Sequence, residues 1–407
     1  MPEAGLPPAA LVDSAPGVLS VLLAVLASLF MFNRHPWGRR LFRVVPLLVF
    51  CYFVPAALSN LGVIPLESDV YLFIRRVLLP ASLLLLVLAT DIPAVLSLGK
   101  HAVVLFLAGT GSIALGGPLA FLALGWTIPD DSLEEAWRGL AALCGSWIGG
   151  GANFVAVGES VGASPATMSL MVVVDVAVAN VWMAVLLWFA GRERETDAKM
   201  GADRSRIEAV REKVEHYQAE VARPANLPEM LLILALGIGT TGAFTWVAGH
   251  LPDIGTIING FTWVVCLVTA AGVALSFTRL RHLEGAGASV VGSVFLYLLV
   301  ATIGASARFT HVLDNLPLLA VGALWMALHA ATMLGVRRLL RAPVFFLAVG
   351  SQANVGGAAS APVVAAAFHP ALATVGVLLA VLGYVLGTYV GIAVAFVLRE
   401  IARLHAG

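Results

Sequence analysis

Apolar residues run through this chain in long stretches, which are interrupted by short groups of charged residues, prolines and glycines. About 20 mainly apolar residues in a helix span the hydrocarbon core of a membrane, so stretches of this length predict spanning helices. The sequence predicts an all-α polytopic membrane protein with about 11–13 transmembrane helices. The expected segments are approximately 16–32, 41–63, 70–90, 101–126, 138–161, 165–190, 227–249, 255–277, 286–306, 312–335, 342–367 and 370–398.

One hydrophilic stretch, residues 191–226, divides the apolar segments into two sets of six. Residues 192–223 carry eight basic and eight acidic side chains, a third of all charged residues in the chain. Between about 203 and 221, opposite charges lie three or four residues apart, which predicts a solvated helix with surface ion pairs. A regulatory or docking helix is the alternative. We therefore expect two transmembrane halves, 1–190 and 227–407, joined by a connector at 191–226.

Composition narrows the class of protein further. Hydrophobic residues make up 60% of the chain and charged residues 12%, about half the charged share of a soluble domain. The net charge of zero leaves no basic surface for nucleic acid. Cys51, Cys144 and Cys266 lie in apolar stretches without metal or disulfide spacing. Neither HExxH nor GxSxG occurs, so we expect no enzyme, no cofactor and no nucleic-acid partner.

Two glycine-rich strings lie at the same place in the two halves, each in the fifth segment. GSWIGGGANFVAVGES begins at Gly145, and GSQANVGGAASAP begins at Gly350. Internal duplication predicts a transporter that is built from two structural repeats. Glycine destabilises a helix interior by about 1 kcal/mol relative to alanine, so each string predicts a helix that is broken at mid-membrane.

The broken segments hold the candidate site. Backbone groups freed at a helix break are tolerated in a cavity, where half-helix N-termini suit anions and unwound carbonyls suit cations. Amide and hydroxyl side chains at the same places supply further donors and acceptors. Close helix packing through small residues is the alternative explanation. The predicted substrate- or ion-binding residues are Ser146, Gly149, Gly150, Gly151, Asn153 and Glu159 in the first string, and Ser351, Gln352, Asn354, Gly356 and Gly357 in the second.

Asp175 lies in the apolar segment that follows the first string. A carboxylate at mid-membrane is costly and by default indicates function, here as a proton carrier or a sodium ligand, whereas the alternative is a structural carboxylate with a buried partner. Asn180, about 140° further round the helix, is included in the candidate site. A sodium ion is expected near Asp175, Asn153 and Asn354. His329, in another apolar segment, is either a proton relay or a buried, hydrogen-bonded side chain.

Basic residues prefer the cytoplasmic side of a membrane and therefore orient the segments. Arginine-rich loops follow the first, eighth and tenth segments, and Arg399 and Arg403 follow the last one. If all of these are cytoplasmic, the two glycine-rich segments run in opposite directions and the repeats are inverted. Strict alternation over the intervening segments makes them parallel instead. We therefore expect a re-entrant or surface segment within 227–277, which would restore the inversion.

Four strings resemble a known family. GGGANFVAVGES at 149–160, SQANVGG at 351–357, GYVLGTYVG at 383–391 and LSNLGVIPLESDVY at 58–71 are similar to the YjcL-like bacterial family, which is labelled as a domain of unknown function. The resemblance covers nearly the whole chain. The family itself is related to the bile-acid:sodium symporters and the cation:proton antiporters. The resemblance implies an inverted-repeat fold with two crossing, broken helices and a core that moves against a scaffold. In the antiporters an Asp after the first crossing helix carries the coupled ion, and Asp175 occupies that place without an acidic neighbour.

The expected function is secondary active transport of a small organic anion or polar metabolite, coupled to Na⁺ or H⁺ and based on alternating access. A cation:proton antiporter is the nearest alternative. A membrane receptor or scaffold that acts through the 191–226 helix and an intramembrane enzyme are alternatives from other classes. The expected location is the bacterial cytoplasmic membrane. The expected partners are the bilayer, a small molecule or ion and, as a further candidate, a second copy of the chain.

Overall fold

The structure, a computed structural model, describes residues 10–44, 47–88, 98–202, 207, 225–254, 257–306, 316–369 and 372–406, and all structural statements concern these residues. They form helices joined by short turns, and this part of the chain has no strand beyond an isolated bridge between Ile254 and Ile258. Several of the helices are long and apolar enough to cross a membrane. The prediction of an all-α, multi-pass membrane protein is therefore confirmed.

The longer helices of the first half follow the predicted segments, and two short helices, at 36–44 and in the connector at 193–198, lie largely outside them. The helices are α1 (Ala15–Arg34), α2 (Pro36–Val44), α3 (Leu47–Asn60), α4 (Asp69–Leu88, with a π-helical turn at Ile74–Leu78), α5 (Lys100–Leu124), α6 (Leu133–Gly149), α7 (Gly151–Val161), α8 (Pro165–Ala190) and, in the connector, α9 (Glu193–Ala198).

The second half is helical as well. Its helices are α10 (Leu227–Ala248), α11 (Gly260–Ser276), which a 3₁₀ helix (Arg279–Ala286) follows, α12 (Ala288–Ala305), α13 (Leu316–Leu340), α14 (Val344–Val355), α15 (Gly357–Phe368) and α16 (Ala373–Ala406).

The number of long helices is smaller than the number of apolar segments. Eight helices in the described ranges are long and apolar enough to span a membrane, or nine if α11 and the 3₁₀ helix form one bent span. All twelve predicted segments nevertheless coincide with helices. The difference arises because α3 has only 14 residues and because each glycine-rich segment divides into two shorter helices.

Each glycine-rich segment forms a helical hairpin. In the first hairpin, α6 and α7, the chain reverses at Gly150, and Arg138 Nη1 donates to the carbonyl oxygen of Gly162 at 3.4 Å. In the second hairpin, α14 and α15, the rings of Phe345 and Phe368 lie 5.5 Å apart although they begin one arm and end the other. The helix breaks are present as predicted. The resemblance implied that each broken helix continues across the membrane, whereas in the structure the chain turns back at each break.

Glycine is required at both turns for a conformational reason. Gly150 has φ 74° and ψ −170°, and Gly357 has φ 56°. Side chains with a Cβ atom rarely adopt this left-handed region, whereas glycine adopts it without steric cost. The glycine clusters therefore allow the chain to reverse at these two points.

The two hairpins enter the bundle from opposite ends. The connector lies at the base of the second hairpin, where the Asp197 carboxylate accepts a hydrogen bond from the backbone N–H of Val344 at 2.8 Å. We call this the connector end. α8 ends at the connector and begins at the opposite end of the bundle, beside the base of the first hairpin. There the Glu135 carboxylate accepts a hydrogen bond from the backbone N–H of Ser164 at 3.0 Å. We call this the far end.

The hairpins resolve the conflict between the charge pattern and the alternation of segments. A hairpin returns to the end from which it came and adds no crossing, so α8 and α16, which follow the two hairpins, run in opposite directions. Residues 227–277 form α10 and α11, of 22 and 17 residues, and Asn259 before α11 donates to the carbonyl of Ser160 at the far end. The re-entrant segment expected there is therefore wrong. The origin of the two halves by duplication stays a prediction.

The helices pack in two groups, which we call the core and the scaffold. The core consists of α5, α8, α13, α16 and both hairpins, and the scaffold consists of α1, α3, α4, α10, α11 and α12. In the scaffold, Leu79–Leu88 of α4 is buried from end to end. Gly237, Gly272 and Gly292 let α10, α11 and α12 approach this helix closely, because a side chain at any of them would contact α4. The scaffold is thus built around α4.

The C-terminal helix ends away from the connector. His405 of α16 lies 3.2 Å from the carbonyl oxygen of Phe121, near the point where α5 ends before the first hairpin. This point belongs to the far end. The prediction that Arg399 and Arg403 lie with the other basic loops is therefore wrong. The physical reason is the second hairpin, which returns to the connector end so that α16 crosses the bundle once more.

The connector is described only over α9, the turn after it and Ile207, so most of the predicted helix from 203 to 221 lies outside the described residues. On the exposed side of α9, Lys199 contacts Glu195 at 2.7 Å and lowers the pKa of that carboxyl group through its hydrogen bond and its charge. On the other side, Asp197 is fully buried and pairs with Arg337 at 2.9 Å. This part of the connector is packed against the core, in contrast to the solvated segment that its charges predict.

Candidate functional site at the hairpin tips

The two hairpin tips meet inside the core. A Cβ atom added to Gly150 would lie 3.6 Å from the Cα atom of Gly357, so the two backbones touch without side chains between them. Each tip joins the C-terminus of one helix to the N-terminus of the next. The first N–H groups of α7 and α15 have no partner within their own helices, and the helix dipole makes these N-termini partly positive. The tips can therefore attract a negatively charged group.

Glycines also let α16 lie directly against the first hairpin. A Cβ atom added to Gly383 would lie 2.4 Å from the carbonyl oxygen of Ile148, and one added to Gly387 would lie 2.9 Å from Gly149 Cα. Both belong to the GYVLGTYVG string and stand four residues apart on one face of α16. Close packing through small residues, the alternative explanation of the glycine strings, therefore applies at this contact.

Asn153 and Asn354 fasten the hairpins to neighbouring core helices. Asn153 Oδ1 accepts from Thr388 Oγ1 at 2.5 Å, and its Nδ2 donates to the carbonyl of Gly149 at 2.9 Å. Asn354 Oδ1 accepts from Thr110 Oγ1 at 2.7 Å, and its Nδ2 donates to two main-chain carbonyls. Both side chains are fully buried. Their polar atoms are already hydrogen-bonded within the core, so the expected sodium contacts would require these bonds to rearrange.

Asp175 joins α8 to the first hairpin. Its Oδ2 accepts from Ser146 Oγ at 2.7 Å, and its Oδ1 accepts from Trp147 Nε1 at 2.8 Å. These are hydrogen-bond donors without charge, and no Lys or Arg within the described ranges pairs with Asp175. An ionised Asp175 is therefore stabilised in the described structure by two neutral donors and by no basic side chain.

Asp175 faces a cavity between the core and the scaffold. The cavity has a volume of about 50 Å³ and is lined by Ser146, Gly151 and Phe154 from the first hairpin and by Tyr52 and Ile303 from the scaffold, among others. A single water requires about 10–15 Å³ on the same measure, so the space is large enough for a small ion with a few waters. No group of three His, Cys, Asp or Glu side chains in the described ranges could hold a metal ion. A sodium site here stays a prediction.

Gln352 spans the tip of the second hairpin. Its Nε2 donates to Ser360 Oγ at 2.6 Å, which ties the two arms together. A Cβ atom on Gly356 would overlap this bridge, so glycine is needed beneath it. The other amide atom, Oε1, is buried without a hydrogen-bond partner in the described part of the chain. A buried acceptor of this kind is costly unless something donates to it, so Oε1 is a candidate contact for a ligand.

Ser351 belongs to a buried chain of hydrogen bonds around His329. Trp182 Nε1 donates to Ser351 Oγ at 2.7 Å, and this hydroxyl lies 2.7 Å from His329 Nε2. On the other side, His329 Nδ1 lies 2.7 Å from Ser112 Oγ, which donates to the carbonyl of Gly109. This sequence of donors and acceptors fits a neutral imidazole with its hydrogen on Nδ1. His329 thus agrees with the interpretation as a buried, hydrogen-bonded side chain. The sequence did not point to Ser112 or Trp182, because neither has a spacing that signals this contact.

The sequence model of the family described as "Protein of unknown function (DUF819)" matches residues 20–401. The chain belongs to this family. It is also 25% identical over 349 residues to the "Uncharacterized membrane protein YjcL" of Bacillus subtilis (strain 168), with 82% of this chain and 85% of that protein covered. The family expected from the four strings is confirmed.

Two predicted site residues, Glu159 and Asn180, lie away from the hairpin tips. Both hairpins and Asp175 fall within the residues that match the DUF819 family. Glu159, near the end of α7, has its Oε1 3.5 Å from Nη1 of Arg75 in α4, at the far end. Asn180 is half-buried on α8, and in the described structure no hydrogen bond joins it to Asp175. The tips and Asp175 therefore form the compact part of the predicted site.

This DUF819 protein has a second, larger cavity at the far end of the same boundary. Its volume is about 640 Å³, and it is lined by Asp69, Arg75, Pro165 and Ser306, among others. Between the two cavities, the Tyr52 hydroxyl donates to Ser169 Oγ and thus links scaffold helix α3 to core helix α8. The boundary between core and scaffold therefore contains a wide outer space, a hydrogen-bonded contact and a small inner space.

Proposed function

We propose that this protein is a secondary active transporter whose solute site lies at the hairpin tips. The observation that carries the proposal is the meeting of two hairpins from opposite ends at Gly150 and Gly357, in the same core as the Asp175 cavity. Re-entrant backbone at membrane depth is tolerated where it lines a cavity or is buried in protein. In transporters such breaks hold the substrate and the coupling ion near the bilayer midplane.

The proposed substrate is a small organic anion or polar metabolite. The N-termini of α7 and α15 favour a negatively charged group at the tips, and the buried Oε1 of Gln352 offers an acceptor for a donor on the same solute. Asp175 is proposed to bind the coupled Na⁺ or H⁺, because its carboxylate lacks a cationic partner in the described chain. The proposed location is the cytoplasmic membrane of a bacterium.

Alternating access would arise from movement of the core against the scaffold. Both cavities lie on this boundary, and a few polar contacts cross it, such as the one from Tyr52 to Ser169. A ligand can shift such an equilibrium only by its difference in affinity for the two states. The proposed solute would therefore bind in both orientations of the core. The coupling ion would be required for the core to change from one orientation to the other.

A cation:proton antiporter is the second candidate function. It is favoured by the same unpaired charge of Asp175, and it would require no solute at the tips. A receptor or scaffold that acts through the connector would depend on 191–226 and would tolerate loss of Asp175.

The test begins with ligand discovery and ends with flux. Purified protein is screened for thermal stabilisation by small carboxylates and polar metabolites, with and without Na⁺ and at several pH values, because a ligand that binds only the folded state raises apparent stability. Hits are then measured for uptake into proteoliposomes under imposed Na⁺ or H⁺ gradients. We expect gradient-driven uptake that Asp175→Asn abolishes.

The matched control is Glu284→Gln. Glu284 is another half-buried carboxylate, which accepts from the backbone N–H and hydroxyl of Ser289 near the connector end, away from the tips. This variant should retain uptake. Uptake that survives Asp175→Asn would refute the coupling role of Asp175. Cation–proton exchange without any solute flux would favour the antiporter over the solute transporter. The absence of both fluxes would contradict the proposal that this protein is a transporter.

A further inference from the structure

The short helix α2 folds back against the end of α1 at the connector end of the scaffold. His35 between them is extended, and the next helix begins at Pro36. A Cβ atom on Gly38 would lie 1.9 Å from the carbonyl oxygen of Phe32, so only glycine permits this close return. The ring of Phe42 packs edge-on against Phe32, with ring centroids 5.8 Å apart. α2 is therefore held on the scaffold by one of its faces.

The other faces of α2 are exposed and differ in character. Trp37 and Leu41, one turn apart, are 68% and 41% exposed. At 100° per residue these two lie beside each other, and the exposed Arg39 lies on the opposite side of the helix. Arg40, also exposed, borders the apolar face, and its guanidinium carbon lies 5.9 Å from the centroid of the Trp37 ring. An apolar face next to a basic face is typical of a helix that lies in the plane of a membrane surface.

The stretch of chain around α2 combines exposed apolar residues with basic residues and contains no acidic residue of its own. On α1, Phe30 and Met31 are also exposed, so the apolar face of Trp37 and Leu41 continues the apolar surface of the spanning helix. No Asp or Glu occurs in the sequence between Asp13 and Glu67, whereas Arg34, Arg39, Arg40 and Arg43 all fall within this interval. The positive charge is thus unbalanced within this stretch of the sequence.

We propose that α2 is a binding surface for anionic phospholipid headgroups. Trp37 and Leu41 enter the boundary between headgroups and acyl chains, and the guanidinium groups of Arg39 and Arg40 bind lipid phosphates. Arginine suits phosphate because its planar donors form paired hydrogen bonds. The surface lies on the scaffold, so it anchors this group of helices in the leaflet at the connector end. It does not depend on the proposed transport activity.

The test measures lipid preference directly. The protein is placed in nanodiscs that contain phosphatidylcholine and phosphatidylglycerol. It is then released from the nanodiscs in a mass spectrometer, and the molecules of each lipid that stay bound to the protein are counted. The double variant Arg39→Gln/Arg40→Gln should lower the preference for phosphatidylglycerol about 30-fold, since each basic residue near an anionic surface contributes about a factor of five. The charge-preserving variant Arg39→Lys/Arg40→Lys should retain most of it.

The matched control is Arg279→Gln/Arg338→Gln. It removes the same number of exposed arginines at the connector end, from positions outside α2. The control should leave the lipid preference unchanged. An equal loss in the control, or an unchanged preference in the α2 variant, would overturn the proposal.

A second measurement uses the natural fluorescence of Trp37 on the apolar face of α2. Brominated phosphatidylglycerol should quench the fluorescence of the wild type more than that of Trp37→Phe, which keeps an aromatic ring but removes this fluorophore. Equal quenching of the two proteins would show that no lipid reaches Trp37. Protection of Trp37 together with crosslinking through Leu41→Cys would assign the surface to a second copy of the chain and would also overturn the proposal.

Discussion

Asp197 offers the sharpest test of how the connector is joined to the core. Its carboxylate is 0% exposed, contacts Arg337 Nη2 at 2.9 Å and accepts from the backbone N–H of Val344 at 2.8 Å. Arg337 is 3% exposed and also donates to the carbonyls of Ala342 and Thr196. Asp197→Asn keeps the size of the side chain and an oxygen for Val344, but it removes the negative charge beside Arg337.

The expected loss follows from the burial of this pair. Removal of one partner of a buried ion pair costs about 3–5 kcal/mol, because the other charge stays buried without compensation. We expect Asp197→Asn to lower the free energy of unfolding by about 3 kcal/mol. This value is the lower end of the range, because the carbonyl oxygens of Ala342 and Thr196 still accept hydrogen bonds from Arg337. Glu195→Gln, two residues earlier in α9, removes an exposed pair with Lys199 and should have no measurable effect.

The assay is equilibrium unfolding by SDS titration in mixed micelles, together with hydrogen exchange of Val344–Val355. Faster exchange in the first arm of the second hairpin should accompany the loss of stability, because Asp197 holds the start of this arm. Arg337→Met added to Asp197→Asn removes the stranded charge, so the double variant should cost less than the sum of the single variants. Equal stability of Asp197→Asn and Glu195→Gln, or strict additivity in the double variant, would refute the reasoning.

Two further predictions concern contacts within the core and across its boundary. Gly383→Ala should separate α16 from the first hairpin and destabilise the fold by about 1–3 kcal/mol, because the new methyl group would lie 2.4 Å from the Ile148 carbonyl. Gly239→Ala, where nothing lies within 4 Å, should be neutral or stabilising in the same titration, and equal effects would contradict the packing argument. Tyr52→Phe should cost about 1 kcal/mol in the wild type and nothing further in Ser169→Ala, because Ser169→Ala already removes the hydrogen bond from Tyr52 together with the one that Ser169 donates to the carbonyl of Pro165. Full additivity would show that the two side chains are not coupled.

The glycine strings illustrate how far the sequence reaches towards the site. Glycine clusters in apolar segments predicted broken helices, and the breaks occur at Gly150 and Gly356. The same clusters could not predict that the chain turns back, because a kink, a crossing and a hairpin all need a weakened helix. The reversal depends on the backbone angles of Gly150 and Gly357 and on the arms that then pack together.

The polar residues show a second limit. Asn153 and Asn354 were selected because amides are unusual at membrane depth, and they do lie in the core near the tips. Their hydrogen bonds to Thr388 and Thr110 connect positions more than two hundred residues apart in sequence. No local spacing identifies such partners, so an amide that fastens a helix looks in the sequence like one that binds a ligand.

The sequence by itself determined the membrane class, the family, the positions of the helices and the places where two of them break. These properties depend on local composition, because transfer of apolar residues into lipid and the weakness of glycine in a helix act residue by residue. Only the tertiary structure decided that the breaks are hairpins from opposite ends, that Asp197 is buried and that Asp175 faces a cavity. These properties depend on which distant surfaces meet, and the hydrogen bonds and close contacts that decide this form only when the two halves pack together.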